Sequence, residues 1–241
     1  MIDGSSATQP VVLITGATGS AGRAAAAAFA RDGARLGLAG MDQGRLSALA
    51  ADLRLADDAW VPVVGDLRDE AVAAAAVETV LDRFERVDVL LHLVGGWTGG
   101  TALADLDSAT LDDMLGRHVW STFNMTRAVI PGMIERGWGR IVAITSSTTA
   151  RPVPRASAYA AAKAAQEAML RTLAREVVGA GVTVNLISVL TIDAARERES
   201  APSAKNATWT TPEEIVATLR FLCSPDGSAV TGARIPLDRR G

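Results

Sequence analysis

Short runs of Val, Ile, Leu and Ala recur along this chain, each separated from the next by a longer stretch with helical periodicity. Alternation of that kind over the whole length leaves few folds open: parallel strands joined by crossover helices that cover the sheet. The runs place strands at 11–15, 35–39, 61–64, 88–93, 140–145, 182–188 and 234–237. Helices are expected over 20–32, 43–54, 68–86, 107–136 with a break near Gly116, 157–179 and 212–223. Thr211-Pro212-Glu213-Glu214 marks the start of the last one, with a capping Thr, a Pro at the first helical position and a Glu that closes a capping box. No repeat of fixed period runs through the sequence. One domain over 11–241 is expected, preceded by a flexible tail at 1–10.

Charge and cysteine content narrow the partners. The 24 Lys plus Arg against 27 Asp plus Glu give a net charge of −3, without the basic footprint that nucleic acid or an anionic membrane surface requires. Ala-rich stretches such as 24–30 and 71–77 fall well short of the roughly 20 apolar residues that span a bilayer. Cys223, the single cysteine, allows no internal disulfide and too few thiolates for a zinc cluster, which fits a reducing compartment. The start, Met1-Ile2-Asp3, has an acid where a secretory leader needs a cation, so a cytoplasmic location is expected.

The first expected strand runs into Thr15-Gly16-Ala17-Thr18-Gly19-Ser20-Ala21-Gly22 and then an Ala-rich helix. Glycines at such a junction let the backbone approach a pyrophosphate, whose charge is drawn by free N–H groups and the helix dipole. The same glycines also serve a plain tight turn, and the turn alone leaves both readings open. Asp66, after the third strand, can accept from an adenine amino group with Leu67 against the ring, or simply form a turn.

A sharper signal is Tyr159-Ala160-Ala161-Ala162-Lys163: the only tyrosine stands one helical turn before one of only two lysines, the other being Lys205. On a helix the pair shares a face, with Cβ atoms about 5–6 Å apart. An ammonium so placed stabilises a phenolate and draws a reference pKa of about 10 towards working pH, where the phenol can exchange a proton with a substrate oxygen. A packed Tyr beside a solvated Lys is the competing reading. Ser146 follows the fifth expected strand, and strand C-termini face the ligand crevice of an α/β sheet. Its hydroxyl can orient a carbonyl beside the tyrosine, or merely shape the loop.

The glycine turn, Asp66, Gly95-Gly96 after the fourth strand, Ser146, Tyr159 and Lys163 occur in the order and spacing of the short-chain dehydrogenase/reductase family, which the chain resembles over about residues 10–238. The resemblance implies a Rossmann fold, an α/β doubly wound parallel sheet of about seven strands in the order 3-2-1-4-5-6-7 with helices on both faces. It further implies an NAD(P)(H)-dependent oxidoreductase that moves a hydride between nicotinamide and a small carbonyl or hydroxyl substrate, with 3-oxoacyl reduction as the default. Tyr159 is then the acid/base, Lys163 tunes it and holds the nicotinamide ribose, and Ser146 orients the substrate. By the same resemblance Gly16, Thr18, Gly19, Ser20, Ala21, Gly22, Met41, Asp66, Leu67, Val94, Gly95 and Thr191 are expected to meet the cofactor, beside Tyr159 and Lys163. No metal is implied.

Several positions depart from the family pattern. Ser20 stands where the middle glycine falls, His92-Leu93-Val94-Gly95 replaces Asn-Asn-Ala-Gly, and Val189-Leu190 replaces Pro-Gly. His118 takes the place of the relay asparagine, either to keep a proton relay running or as a satisfied structural histidine. At the end of the second strand, Gly40-Met41-Asp42-Gln43 offers neither the usual acid for ribose hydroxyls nor an Arg for the NADP phosphate, so NAD and NADP both stay open.

A local resemblance to dihydropteridine reductases rests on Gly95-Gly96-Trp97-Thr98-Gly99-Gly100, Val119-Trp120-Ser121-Thr122 and Trp209-Thr210-Thr211-Pro212. Trp97 is a candidate wall for a flat substrate, or else a core or interface residue. Ser146 departs from that group. A dihydropteridine reductase-like activity is therefore one alternative; a non-catalytic dinucleotide-binding subunit or sensor is another, motivated by the departures at 20, 92, 118, 189 and 190. The irregular stretch 194–206 is expected as a lid or a plain mobile loop. Helix pairing of the family kind points to a homotetramer, or a homodimer, through Met169, Leu170, Leu173 and Val177.

Overall fold

Five consecutive apolar or β-branched residues, Val-Val-Leu-Ile-Thr, form β1 (Val11–Thr15) at the middle of the sheet. The computed structural model describes residues 9–238, so most of the expected tail at 1–10 lies outside the described residues. β1 pairs in parallel with β2 (Arg35–Gly40) on one side and β4 (Val89–His92) on the other. β3 (Trp60–Val64) extends the sheet beyond β2, while β5 (Gly139–Ser146), β6 (Val182–Val189) and β7 (Arg234–Pro236) extend it beyond β4. The strand order is 3-2-1-4-5-6-7 and every pairing is parallel, as the resemblance implied.

Successive side chains of β1 point to opposite faces. Val12 and Ile14 pack with α1 (Ser20–Arg31), α2 (Gln43–Asp52) and α8 (Pro212–Cys223). Val11 and Leu13 pack with α3 (Glu70–Phe84), α5 (Ser121–Glu135) and α6 (Ser157–Glu176). A sheet covered on both faces wants apolar residues at every strand position, which is why β1, β4 and β6 are buried end to end. Each wholly buried leucine of the strands, such as Leu13, Leu38 or Leu91, contributes about 1.5–3 kcal/mol.

Several expectations change or sharpen in the structure. The helix expected over 107–136 with a break near Gly116 is α4 (Ser108–Leu115) and α5, separated by a π-turn, Gly116–Trp120. The break falls where the sequence placed it, because the Arg68 side chain crosses the helix there: a Cβ on Gly116 would stand 2.9 Å from Arg68 Cδ. The extra residue turns His118 inward to zero exposure while Trp120 faces out. The helix expected from 68 begins at Glu70, since the Asp69 carboxylate caps it by accepting from the Ala71 and Val72 N–H groups.

The stretch 194–206 is irregular and exposed over most of its length, but buried side chains anchor it to the fold. It contains a short helix, α7 (Glu197–Ser200), whose first N–H groups at Glu197 and Arg198 donate to the buried Asp193 carboxylate. Asn206, also buried, donates to the Glu197 and Ala201 carbonyls, and Arg198 reaches Glu214 within the capping box of α8. Leu170 and Val177, expected on an intersubunit face, lie in the core of their own chain instead. Among the described residues no helix is long and apolar enough to cross a membrane.

Candidate active site

The C-terminal ends of β1, β4, β5 and β6 open onto one cleft of about 760 Å³, in the range of small-molecule sites. On its β1 side the chain reverses at Gly16, at φ +70°, where a Cβ would come within 2.7 Å of the Leu93 carbonyl oxygen. Gly22 packs its α-carbon directly on the Gly16 carbonyl and admits no side chain either. Gly19 then caps α1 without a side-chain hydrogen bond, and no acid stands in the first turn. The first N–H groups of α1, at Ser20, Ala21 and Gly22, thus face the cleft with the positive end of the helix dipole behind them. The donor set suits a pyrophosphate.

Around the remainder of this side, both carboxylates are already committed. Asp42 accepts the Arg45 N–H at 2.9 Å and caps α2, so its carboxylate is engaged with the helix. Asp66 forms a turn by accepting the Arg68 N–H and is forked by the Arg68 guanidinium, with Nη2 to Oδ2 at 2.6 Å. That guanidinium holds the carboxyl below the usual carboxylate range. Asn124 donates to the Leu67 and Arg68 carbonyls, which locks Leu67 in the wall.

Across the cleft, α6 presents Tyr159 and Lys163 on one face. Lys163 is 3% exposed and donates to the Ile144 carbonyl at 2.8 Å and to Gln166 Oε1 at 3.0 Å. Burial draws its ammonium down to about 7, with Glu167 opposing the fall. Burial likewise pushes the Tyr159 phenol up, and a hydrogen bond with Ser146 opposes that rise. Ser146 Oγ accepts from the N–H and the hydroxyl of Thr148, leaving its own proton to donate.

The two histidines are neutral at neutral pH. Ser121 donates to the Arg117 carbonyl, so its oxygen accepts from His92 Nε2–H, and His92 Nδ1 accepts from Thr15 at 2.9 Å. This tautomer ties β1, β4 and α5 together. His118 Nε2–H donates to the Gly96 carbonyl at 3.0 Å, and its ring stands edge-on to Tyr159 at 5.5 Å. Burial, aided by the Lys163 charge, pulls both imidazoles down to about 3.

Of the residues expected from sequence, Gly16, Thr18, Gly19, Ser20, Ala21, Gly22, Met41, Asp66, Leu67, Val94, Gly95, His118, Tyr159 and Lys163 line this cleft. Ser146 sits behind the wall and acts on it through Tyr159. Thr191 is not among the lining residues: its carbonyl accepts from the Thr210 N–H, and its neighbours Val189, Leu190 and Ile192 form the wall. Trp97 is 63% exposed on the cleft rim, so it is not a core residue. Sequence reasoning missed Arg68, Ser121 and Gln166. Arg68 stands two residues after Asp66, and Gln166 one turn beyond Lys163; those spacings were the available signals.

Comparison with known proteins bears on this arrangement. The profile of the family described as short chain dehydrogenase matches residues 10–205. The chain is 28% identical to a 3-oxoacyl-[acyl-carrier-protein] reductase of Thermotoga maritima, over 95% of this chain and 96% of that protein. It is 31% identical to an A-factor type gamma-butyrolactone 1'-reductase of Streptomyces virginiae, over 96% and 95% respectively. The crystal structure of a 3-ketoacyl-(acyl-carrier-protein) reductase from Brucella melitensis complexed with NADH matches with a TM-score of 0.85 at 27% identity, covering 94% of this chain and 96% of that one.

Proposed function

The chain belongs to the short chain dehydrogenase family, and from that membership we propose that it is an NAD(P)(H)-dependent reductase of a small carbonyl compound, 3-oxoacyl-type substrates being the default. The observation that carries the reading is the placement of Tyr159 and Lys163 on one face of α6, opening onto the cleft that the glycine turn also lines. The first turn of α1 holds the pyrophosphate and Lys163 the nicotinamide ribose. The dinucleotide, when bound, supplies the hydride. Tyr159 Oη gives its proton to the substrate oxygen, and the Ser146 hydroxyl, which is hydrogen-bonded to the phenol, orients Tyr159 for that transfer. The Lys163 ammonium steadies the phenolate that remains. His118, neutral and edge-on to the phenol, fixes its ring and is not the titrating member of a relay.

A second reading draws on Trp97, whose exposed ring on the cleft rim suits a flat bicyclic substrate of the dihydropterin kind. Residues 11–241 are assigned to one catalytic domain acting in the cytoplasm. A homotetramer is supported by the exposed edge-to-face pair Trp120–Phe123, 6.1 Å between centroids, at the start of α5.

The test is to incubate purified protein with each reduced nicotinamide dinucleotide and a panel of 3-oxoacyl thioesters, simple ketones and dihydropterins. Carbonyl-dependent oxidation of the dinucleotide is expected. Binding without oxidation across the whole panel would contradict the reading and favour a sensor.

A further inference from the structure

A buried ammonium must be matched by acceptors, and Lys163 has two: the Ile144 carbonyl and Gln166 Oε1. The first is a backbone group fixed in β5. The second belongs to a side chain with zero exposure, one turn further along α6, and is itself held. Gln166 Nε2 donates to Thr122 Oγ1 at 2.8 Å, and Thr122 Oγ1 donates to the His118 carbonyl at 2.6 Å. Every donor in this line points the same way, from the ammonium to the π-turn.

The direction is enforced. Thr122 spends its proton on the His118 carbonyl, so it can only accept from the glutamine, which must then present its NH2 to Thr122 and its oxygen to Lys163. A flipped amide would set N–H against N–H at the lysine. Met114, Ala158 and Ala162 around this face of α6 are apolar, and an amide buried there is destabilising unless both of its ends are satisfied.

Building on the reductase reading, we propose that Gln166 is the positioning residue for Lys163, holding the ammonium opposite Tyr159 and coupling it to the π-turn that carries His118. An amide has no proton to release, so this line steadies the charge without conducting it away. The charged and titratable groups facing Lys163 are Glu167 and Tyr159 from α6, His118 from the π-turn and His92 from β4. Glu167 is in turn paired with Arg234 of β7 at 3.1 Å. β5 contributes the uncharged Ile144 carbonyl, Thr145 and Ser146.

The chain's two lysines make the test direct. Lysine labelled with carbon-13 at Cε gives two resonances, and Lys205→Arg identifies that of Lys163. In protein free of dinucleotide, Gln166→Leu is expected to lower the Lys163 titration midpoint by about one pH unit or more, through loss of a charge-assisted hydrogen bond. Gln166→Glu keeps an acceptor and adds a charge, and is expected to raise it. In turnover, kcat of the leucine variant falls about tenfold at neutral pH and the glutamate variant restores it, with the pH profiles displaced in the same opposite senses. Midpoints that coincide with the parent's, or that move in one common direction, would overturn the proposal. If the leucine variant does not fold, the glutamate variant decides alone: a rise supports the proposal and no change overturns it. Failure of the reductase reading shows separately, as a parent protein without turnover.

Discussion

His92 and His118 show what burial does to a titratable residue in this chain. Each is enclosed by the sheet and the π-turn, and each is drawn from an ordinary value of 6.5 down to about 3. The sign of the linkage follows. Below about pH 6.5 the unfolded chain takes up protons on these rings while the folded chain does not, so folding is favoured above that value and weakened as pH falls towards about 3. The slope is about 1.4 kcal/mol per pH unit for each histidine. Thermal unfolding between pH 7 and 4 should therefore show a falling midpoint, and His92→Asn should flatten part of the fall; an equally steep profile in the variant would contradict it. Tyr159 and Lys163 were legible because rarity and a spacing of one helical turn coincide in the sequence. Asp66 was legible only as a choice between adenine contact and turn, since the Arg68 fork that engages it also draws on Asp113 of α4. Gln166 was invisible for the same reason: it bridges Lys163 of its own helix to Thr122 of α5, far away in sequence.

At the scale of elements, the strands and most helices could be read from periodicity, because a sheet covered on both faces writes its burial into consecutive residues. The π-turn was legible only as an interruption at Gly116, since its width depends on a side chain from beyond β3. Adding a methyl there should displace Arg68 and with it the hold on Asp66. Gly116→Ala is expected to lower unfolding stability by about 1–3 kcal/mol and to weaken dinucleotide binding. Denaturant titration and a binding isotherm check this, and an unchanged dinucleotide affinity would separate the turn from the cleft. The stretch 194–206 could not be read at all, because it is held by Asp193 and Asn206, single polar residues whose burial only the folded chain reveals.

On the scale of the whole molecule, the two helical layers leave exposed the aromatic pair Trp120–Phe123. Light scattering should give four times the monomer mass, and Trp120→Arg should shift it to a smaller species without altering the fold. A monomeric parent would contradict the assembly. The central claim concerns the cleft, where the phenol of Tyr159 acts as proton donor beside a dinucleotide held by the glycine turn. Replacing Tyr159 with Phe tests it most directly, by measuring turnover and dinucleotide affinity on the same preparation. A loss in kcat of about 10²- to 10⁴-fold with affinity retained is the predicted result, and turnover equal to the parent's on every accepted carbonyl would contradict it.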